Sequence, residues 1–173
     1  MPVFDAYGVD LVFSGHSHGY ERSFLVKGHV GKSDTLEPSM LVDGGDGDPD
    51  GDGAYQKLGV GPVPNQGVVY TVAGSAATLN SAPYDHPVMV SSHESLGSVV
   101  LDIGSHTLDA KFIAQDGSVL DHFQIHKHPV DVPALRPIAQ MLLCMLVALG
   151  SANLLLRRRR RAGRGGTASR PAA

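Results

Sequence analysis

The sequence predicts a mixed α/β (α+β), β-rich domain over residues 1–127, followed by one C-terminal transmembrane helix. Three observations predict it. An apolar run, Val9–Phe13, stops at Ser14-Gly15, as a buried strand stops at a turn. Late in the domain, Gly97–Ile103, Leu108–Ala114 and Val119–Ile125 read as three consecutive antiparallel strands. Beyond them, Ile138–Leu156 holds nineteen residues without a charge and runs directly into Arg157–Arg161.

In chain order, Pro2–Gly8 reads as the tail of a helix and a turn into the first strand. That strand ends in GHSHGYERS, residues 15–23, so His16 and His18 fall on a loop at its C-terminal end, where a rigid sheet holds an otherwise exposed loop in place. In an extended stretch, residues i and i+2 point to one side. The two imidazoles can then serve one small volume, and neutral imidazole is a common ligand of zinc and iron. Spacing alone leaves a metal pair and a polar surface loop equally open. Tyr20, Arg22 and His86 are weaker candidates beside a substrate. Arg22 could bind phosphate through two parallel hydrogen bonds, although an internal ion pair fixing the loop is the favoured reading. Tyr20 either lines a cleft or packs beneath the loop, and a lone loop histidine such as His86 is more often structural.

The block VDLVFSGHSHGYERS, residues 9–23, resembles the last metal-binding block of the calcineurin-like metallophosphoesterases, most closely their purple acid phosphatase branch. The resemblance extends to about Lys127 and implies the C-terminal, β-rich part of a four-layer metallophosphoesterase sandwich. It implies a dinuclear centre, iron with zinc, manganese or iron, in which His16 ligates the divalent ion and His18 the other. The activity implied is hydrolysis of phosphate monoesters or related phosphoesters, with the two ions stabilising attacking and leaving oxygens. The family's aspartate ligands, its asparagine and a further histidine come from blocks that have no counterpart here. The expectation is therefore an active parent enzyme and an inactive isolated chain, with Met1 a late start or a truncation and no catalytic residue assigned.

After the histidines, Ser23–Val30 reads as a short strand and turn, Gly31–Pro38 as polar loop and Met40–Asp43 as a brief apolar return. Asp46, Asp48, Asp50, Gly51 and Asp52 match the opening of a calcium loop, but its twelfth position is Lys57 where a glutamate belongs. An acidic surface turn is preferred. Val68–Val72 reads as a buried strand and Thr78–Val90 as a loop. Asp116-Gly117 marks a hairpin between the last two strands. Asp121 shares a face with Val119, Phe123 and Ile125 and breaks their apolar pattern.

Residues 128–137, with three prolines, read as a linker, 138–156 as the transmembrane helix and 157–173 as a basic disordered tail. At about 1.5 Å per residue the helix spans about 28 Å, close to the hydrocarbon core. The arginines behind it stay cytoplasmic, which places the domain outside the membrane, periplasmic or at the cell surface. The order Val-Pro-Ala-Leu, apolar helix, arginine cluster resembles bacterial C-terminal sorting tails of the PEP-CTERM type, implying a sorting protease as a partner. Residues 1–156 hold all seventeen acidic side chains and seven of the fourteen Lys/Arg, and the other seven are arginines of the tail. An acidic body argues against a nucleic-acid partner. One cysteine excludes an internal disulfide. The alternative to a phosphoesterase is a non-catalytic, surface-anchored β domain, degenerate or truncated, that calcium could stabilise.

Overall fold

A computed structural model describes residues 2–81, 83–129, 141–142 and 144–147. The chain divides into two units, Met1–Val130 and Asp131–Ala173.

The first unit opens with a helical turn, α1 (Pro2–Ala6), and β1 (Leu11–Ser14). Then follow β2 (Tyr20–Ser23), β3 (Leu25–Val26), two 3₁₀ turns, β4 (Leu41–Asp43), β5 (Tyr55–Leu58) and β6 (Val69–Ala73). It ends with β7 (Met89–His93), β8 (Gly97–Ile103), β9 (Thr107–Ala114) and β10 (Val119–His128). One sheet has the order β1-β6-β2-β7, a second β5-β10-β9-β8, and β3 pairs with β4. β1 runs parallel to β6, with Leu11 opposite Val69 and Ser14 opposite Val72, whereas β2 is antiparallel to both β6 and β7.

The three antiparallel strands expected late in the domain are present as β8, β9 and β10. Their hairpin turns at Gly117, whose φ of 86° suits a residue without Cβ, and Ser118 N–H donates to Asp116 Oδ1 at 2.9 Å. One expectation needs correction: the interval read as loop to Val90 gives way at Met89 to β7. Its partner is β2, a strand whose residues before Ser23 the sequence assigned to no element. β2 reads as polar because only tyrosine among its four residues is hydrophobic, yet three of the four are buried.

Leu25, Val69, Tyr55, Ala110, Phe123 and Ile125 form the core, with Leu11 and Leu108 packed on it, so both large sheets contribute apolar faces. Two polar clamps join the sheets. Arg22 on β2 pairs with Asp121 on β10. At the other end of β1, Asp10 lies 2.6 Å from Lys57 Nζ and 2.9 Å from Lys127 Nζ, holding the start of that strand to β5 and β10. Burial pushes the Lys57 ammonium toward lower pKa, opposed by its bond to Asp10.

In the second unit, residues 141–142 and 144–147 are helical and exposed. Among the described residues no helix is long and apolar enough to cross a membrane. The rest of the expected span Ile138–Leu156, the linker from residue 130 and the tail 157–173 lie outside the described residues.

Candidate metal centre

β1 ends at Ser14, and residues 15–19 carry the chain over the end of β6 to β2, since β6 lies between those strands. The crossing is tight. Gly74, just past β6, donates its N–H to the Gly19 carbonyl at 3.1 Å. A Cβ on Gly74 would stand 1.9 Å from the Ser17 carbonyl oxygen, so only glycine fits there. The histidines therefore do not leave an extended strand, as i, i+2 spacing assumed. The loop bends throughout, and His16 sits at φ 77°, a left-handed conformation uncommon outside glycine. Strain of this kind costs about 1–3 kcal/mol and persists where surrounding structure over-determines it.

Both imidazoles are exposed. His18 Nδ1 shares a 2.9 Å hydrogen bond with Thr78 Oγ1, and the Asn80 N–H donates to the His18 carbonyl at 3.2 Å. With Nδ1 engaged, Nε2 is left to face a ligand, the arrangement a metal-binding histidine needs. Thr78 has no signal in the sequence; it lies in a loop far along the chain. Chemically the pair suits zinc or iron. Among the described residues no third His, Cys, Asp or Glu gathers with it, and two imidazoles alone hold an ion weakly.

The adjoining residues turn inward. Arg22 is 1% exposed. Its Nε and Nη2 donate to the two oxygens of Asp121 at 2.6 and 2.8 Å, and Nη1 donates to the Asp46 carbonyl at 2.7 Å and to Tyr55 Oη at 3.3 Å. The guanidinium also lies 4.5 Å over the Phe123 ring. Tyr20 donates to Asp121 Oδ2 at 2.5 Å and stacks on Phe112 with ring centres 4.2 Å apart. Burial pushes the Tyr20 hydroxyl well up, and the Asp121 charge adds to it. Burial would raise Asp121 too, but Arg22 outweighs it and holds the carboxyl below its usual range. Asp121, the polar interruption in its strand, is thus the partner of both. His86 accepts the Val88 N–H at 3.2 Å and meets His29 edge-on, with ring centres 6.1 Å apart.

The acidic loop binds its own backbone, as a surface turn does. Asp48 N–H donates to Asp46 Oδ1 and Asp50 N–H to Asp48 Oδ1, both at 2.9 Å. Lys57, at the twelfth position, is buried against Asp10. What spacing did not reveal is His122 on β10, which gathers with Asp48 and Asp50 so that one ligand atom of each lies within 4.8 Å of the others.

No family model matches the chain. Two uncharacterized proteins of Mycobacterium tuberculosis, from strains CDC 1551 / Oshkosh and ATCC 25618 / H37Rv, are 53% identical to it over 38 residues, covering 22% of this chain and 7% of theirs. The chain thus spans less than a tenth of the length of the curated relatives it matches. Among solved structures, a purple acid phosphatase isolated from yellow lupin (Lupinus luteus) seeds superposes with a TM-score of 0.51 at 21% identity, over 72% of this chain and 19% of that one. The likeness shows the fold: a mixed, sheet-rich α+β arrangement of the phosphatase type.

Proposed function

We propose that this chain contributes the histidine block of a metal-dependent phosphoesterase of purple acid phosphatase type. One observation carries the reading. In a fold like that of the lupin phosphatase, two exposed imidazoles stand on a strained loop wedged against the end of a central strand. His16 and His18 would each give one ligand to one of two ions, iron with zinc, manganese or iron. Such ions, when bound, supply Lewis acidity and a nucleophile at neutral pH. The chain's own residues position the ligands. Thr78 holds the His18 ring, Gly74 seats the loop, and the Arg22–Asp121 pair fixes β2 behind it. The substrates would be phosphate monoesters or related esters.

We further propose that Ile138–Leu156 tethers the domain to the outer side of the cytoplasmic membrane, with Arg157–Arg161 cytoplasmic, and that a sorting protease acts on this tail. A second reading, a surface-anchored β domain without activity, is favoured by the absence of a third ligand beside the pair among the described residues.

Assays with p-nitrophenyl phosphate separate the two. The 173-residue chain is expected to turn over little substrate with iron, zinc or manganese added. Joined in frame to the polypeptide encoded upstream of Met1, it is expected to be active. There, His16→Ala or His18→Ala should cost several orders of magnitude, because each leaves one ion without a ligand. Full activity after replacing both histidines would overturn the assignment.

A further inference from the structure

We propose that Asp48, Asp50 and His122 form a binding site for one zinc-class divalent cation, distinct from the histidine loop and independent of phosphoesterase activity. Two aspartates on a glycine-rich turn are unremarkable by themselves. The third donor changes the chemistry, because it is an imidazole from a different strand, and all three donor atoms lie within 4.8 Å of one another. Ion–ligand bonds of about 2.0–2.2 Å in a tetrahedral shell put donor atoms about 3.3–3.6 Å apart, so the donors need to close by up to about 1.5 Å.

His122 is held as a metal ligand is held. Its Nε2 lies 3.1 Å from Asp109 Oδ2 on the neighbouring strand, and that oxygen also accepts the Gln124 side-chain N–H at 2.5 Å. A carboxylate accepting Nε2–H keeps the proton on that nitrogen and leaves the Nδ1 lone pair to coordinate. The loop is fixed over the same strand. The Gln124 backbone N–H donates to the Gly47 carbonyl at 2.9 Å, Tyr55 Oη to the Gly45 carbonyl at 3.0 Å and Arg22 Nη1 to the Asp46 carbonyl at 2.7 Å.

These groups border a cleft of about 610 Å³, which an ion and its waters can enter. Two cations line it as well, but Arg22 is matched by Asp121, and Lys111 lies 3.6 Å from Asp109. The negative charge of Asp48 and Asp50 is left for a cation. Calcium wants six to eight oxygens, and the residue that would close a calcium loop, Lys57, is a buried cation. Two carboxylates and one imidazole suit zinc instead, with water completing the shell. Bound there, the ion would staple the acidic loop to β10.

The test uses the full chain carrying His16→Ala and His18→Ala, so that the histidine loop cannot contribute. Zinc chloride is titrated calorimetrically and thermal melts are recorded beside it. One zinc per chain and a rise in Tm are expected. His122→Gln and Asp50→Asn should each weaken binding at least 100-fold, and Asp109→Asn about 10–100-fold. Asp50 is exposed, so its variant reports on binding with the fold intact. Millimolar calcium should not displace the zinc. No zinc binding in this background, unchanged binding in His122→Gln, or displacement by calcium would each overturn the proposal. Phosphatase assays on the longer protein bear on the histidine loop alone, so the two readings fail separately.

Discussion

Residues 16–18 and residues 20–22 are neighbours in sequence and opposites in structure. The first three are irregular, mostly exposed and strained at His16. The second three form a strand between two others, with Tyr20 and Arg22 buried against Asp121. The contrast shows how a loop can be both open and held. Charge and hydrogen bonding are spent inward, two residues on, and the loop inherits the rigidity of that anchor. A buried ion pair adds little net stability over apolar packing of equal volume, yet breaking one partner is expensive. Its value here is in fixing where β2 begins.

The largest test of this contrast is Asp121→Ala. It leaves the Arg22 charge and the Tyr20 hydroxyl without their partner in a dry site, and should cost about 3–5 kcal/mol in denaturant unfolding. Replacing both members, Arg22→Met with Asp121→Leu, should recover much of that. A loss below about 1 kcal/mol for the single change would mean that the anchor is not the pair.

The same pair sets an acid limit. Arg22 holds the folded Asp121 carboxyl below its usual range, against the upward push of burial. A depressed folded value contributes stability that is fully present above the unfolded value, about 3.9, and lost as pH falls through the lower folded value. Stability measured against pH should therefore steepen downward below about pH 4. Asp121→Asn should flatten that limb, and an unchanged slope would contradict the assignment.

Two smaller effects probe the loop. Gly74→Ala places a methyl group where the Ser17 carbonyl lies and should cost about 1–3 kcal/mol as the crossing shifts. His16→Gly should do the reverse. Relief of a left-handed side chain, about 1–2 kcal/mol, exceeds the entropic cost of glycine, about 0.5–1, so the melting temperature should rise slightly. A fall in melting temperature would show that His16 is not strained.

Legibility in the sequence followed the kind of force involved. β8 to β10 and their hairpin were readable because apolar alternation and Asp-Gly turn chemistry are local signals. β1 was readable as an apolar run, but not as the buried strand expected, since Leu11 and Val12 are half-buried and Phe13 and Ser14 exposed. β2 was not readable, since its buried surface is an arginine stem, a tyrosine and a serine, and burial of such residues depends on Asp121 nearly a hundred residues later. The break that Asp121 makes in its strand was visible, but its partner was not. The histidine pair was conspicuous, whereas its extended geometry was misjudged, because the approach of Gly74 forces the bend. Thr78 and His122 carried no signal at all, because their relevance is created by strand pairing.

The crossing at Gly74 also orders events in time. β1 finds its parallel partner only when Val69–Val72 is available, and the Ser17 and Gly19 carbonyls meet Gly74 only after that pairing. Contacts this distant in sequence form late, since the entropy of closing the intervening loop must first be overcome. The histidine loop precedes both Val69–Val72 and Gly74 in the sequence, so it is made before the strand and the glycine that shape it. The loop takes its bent shape only once the first sheet has closed behind it.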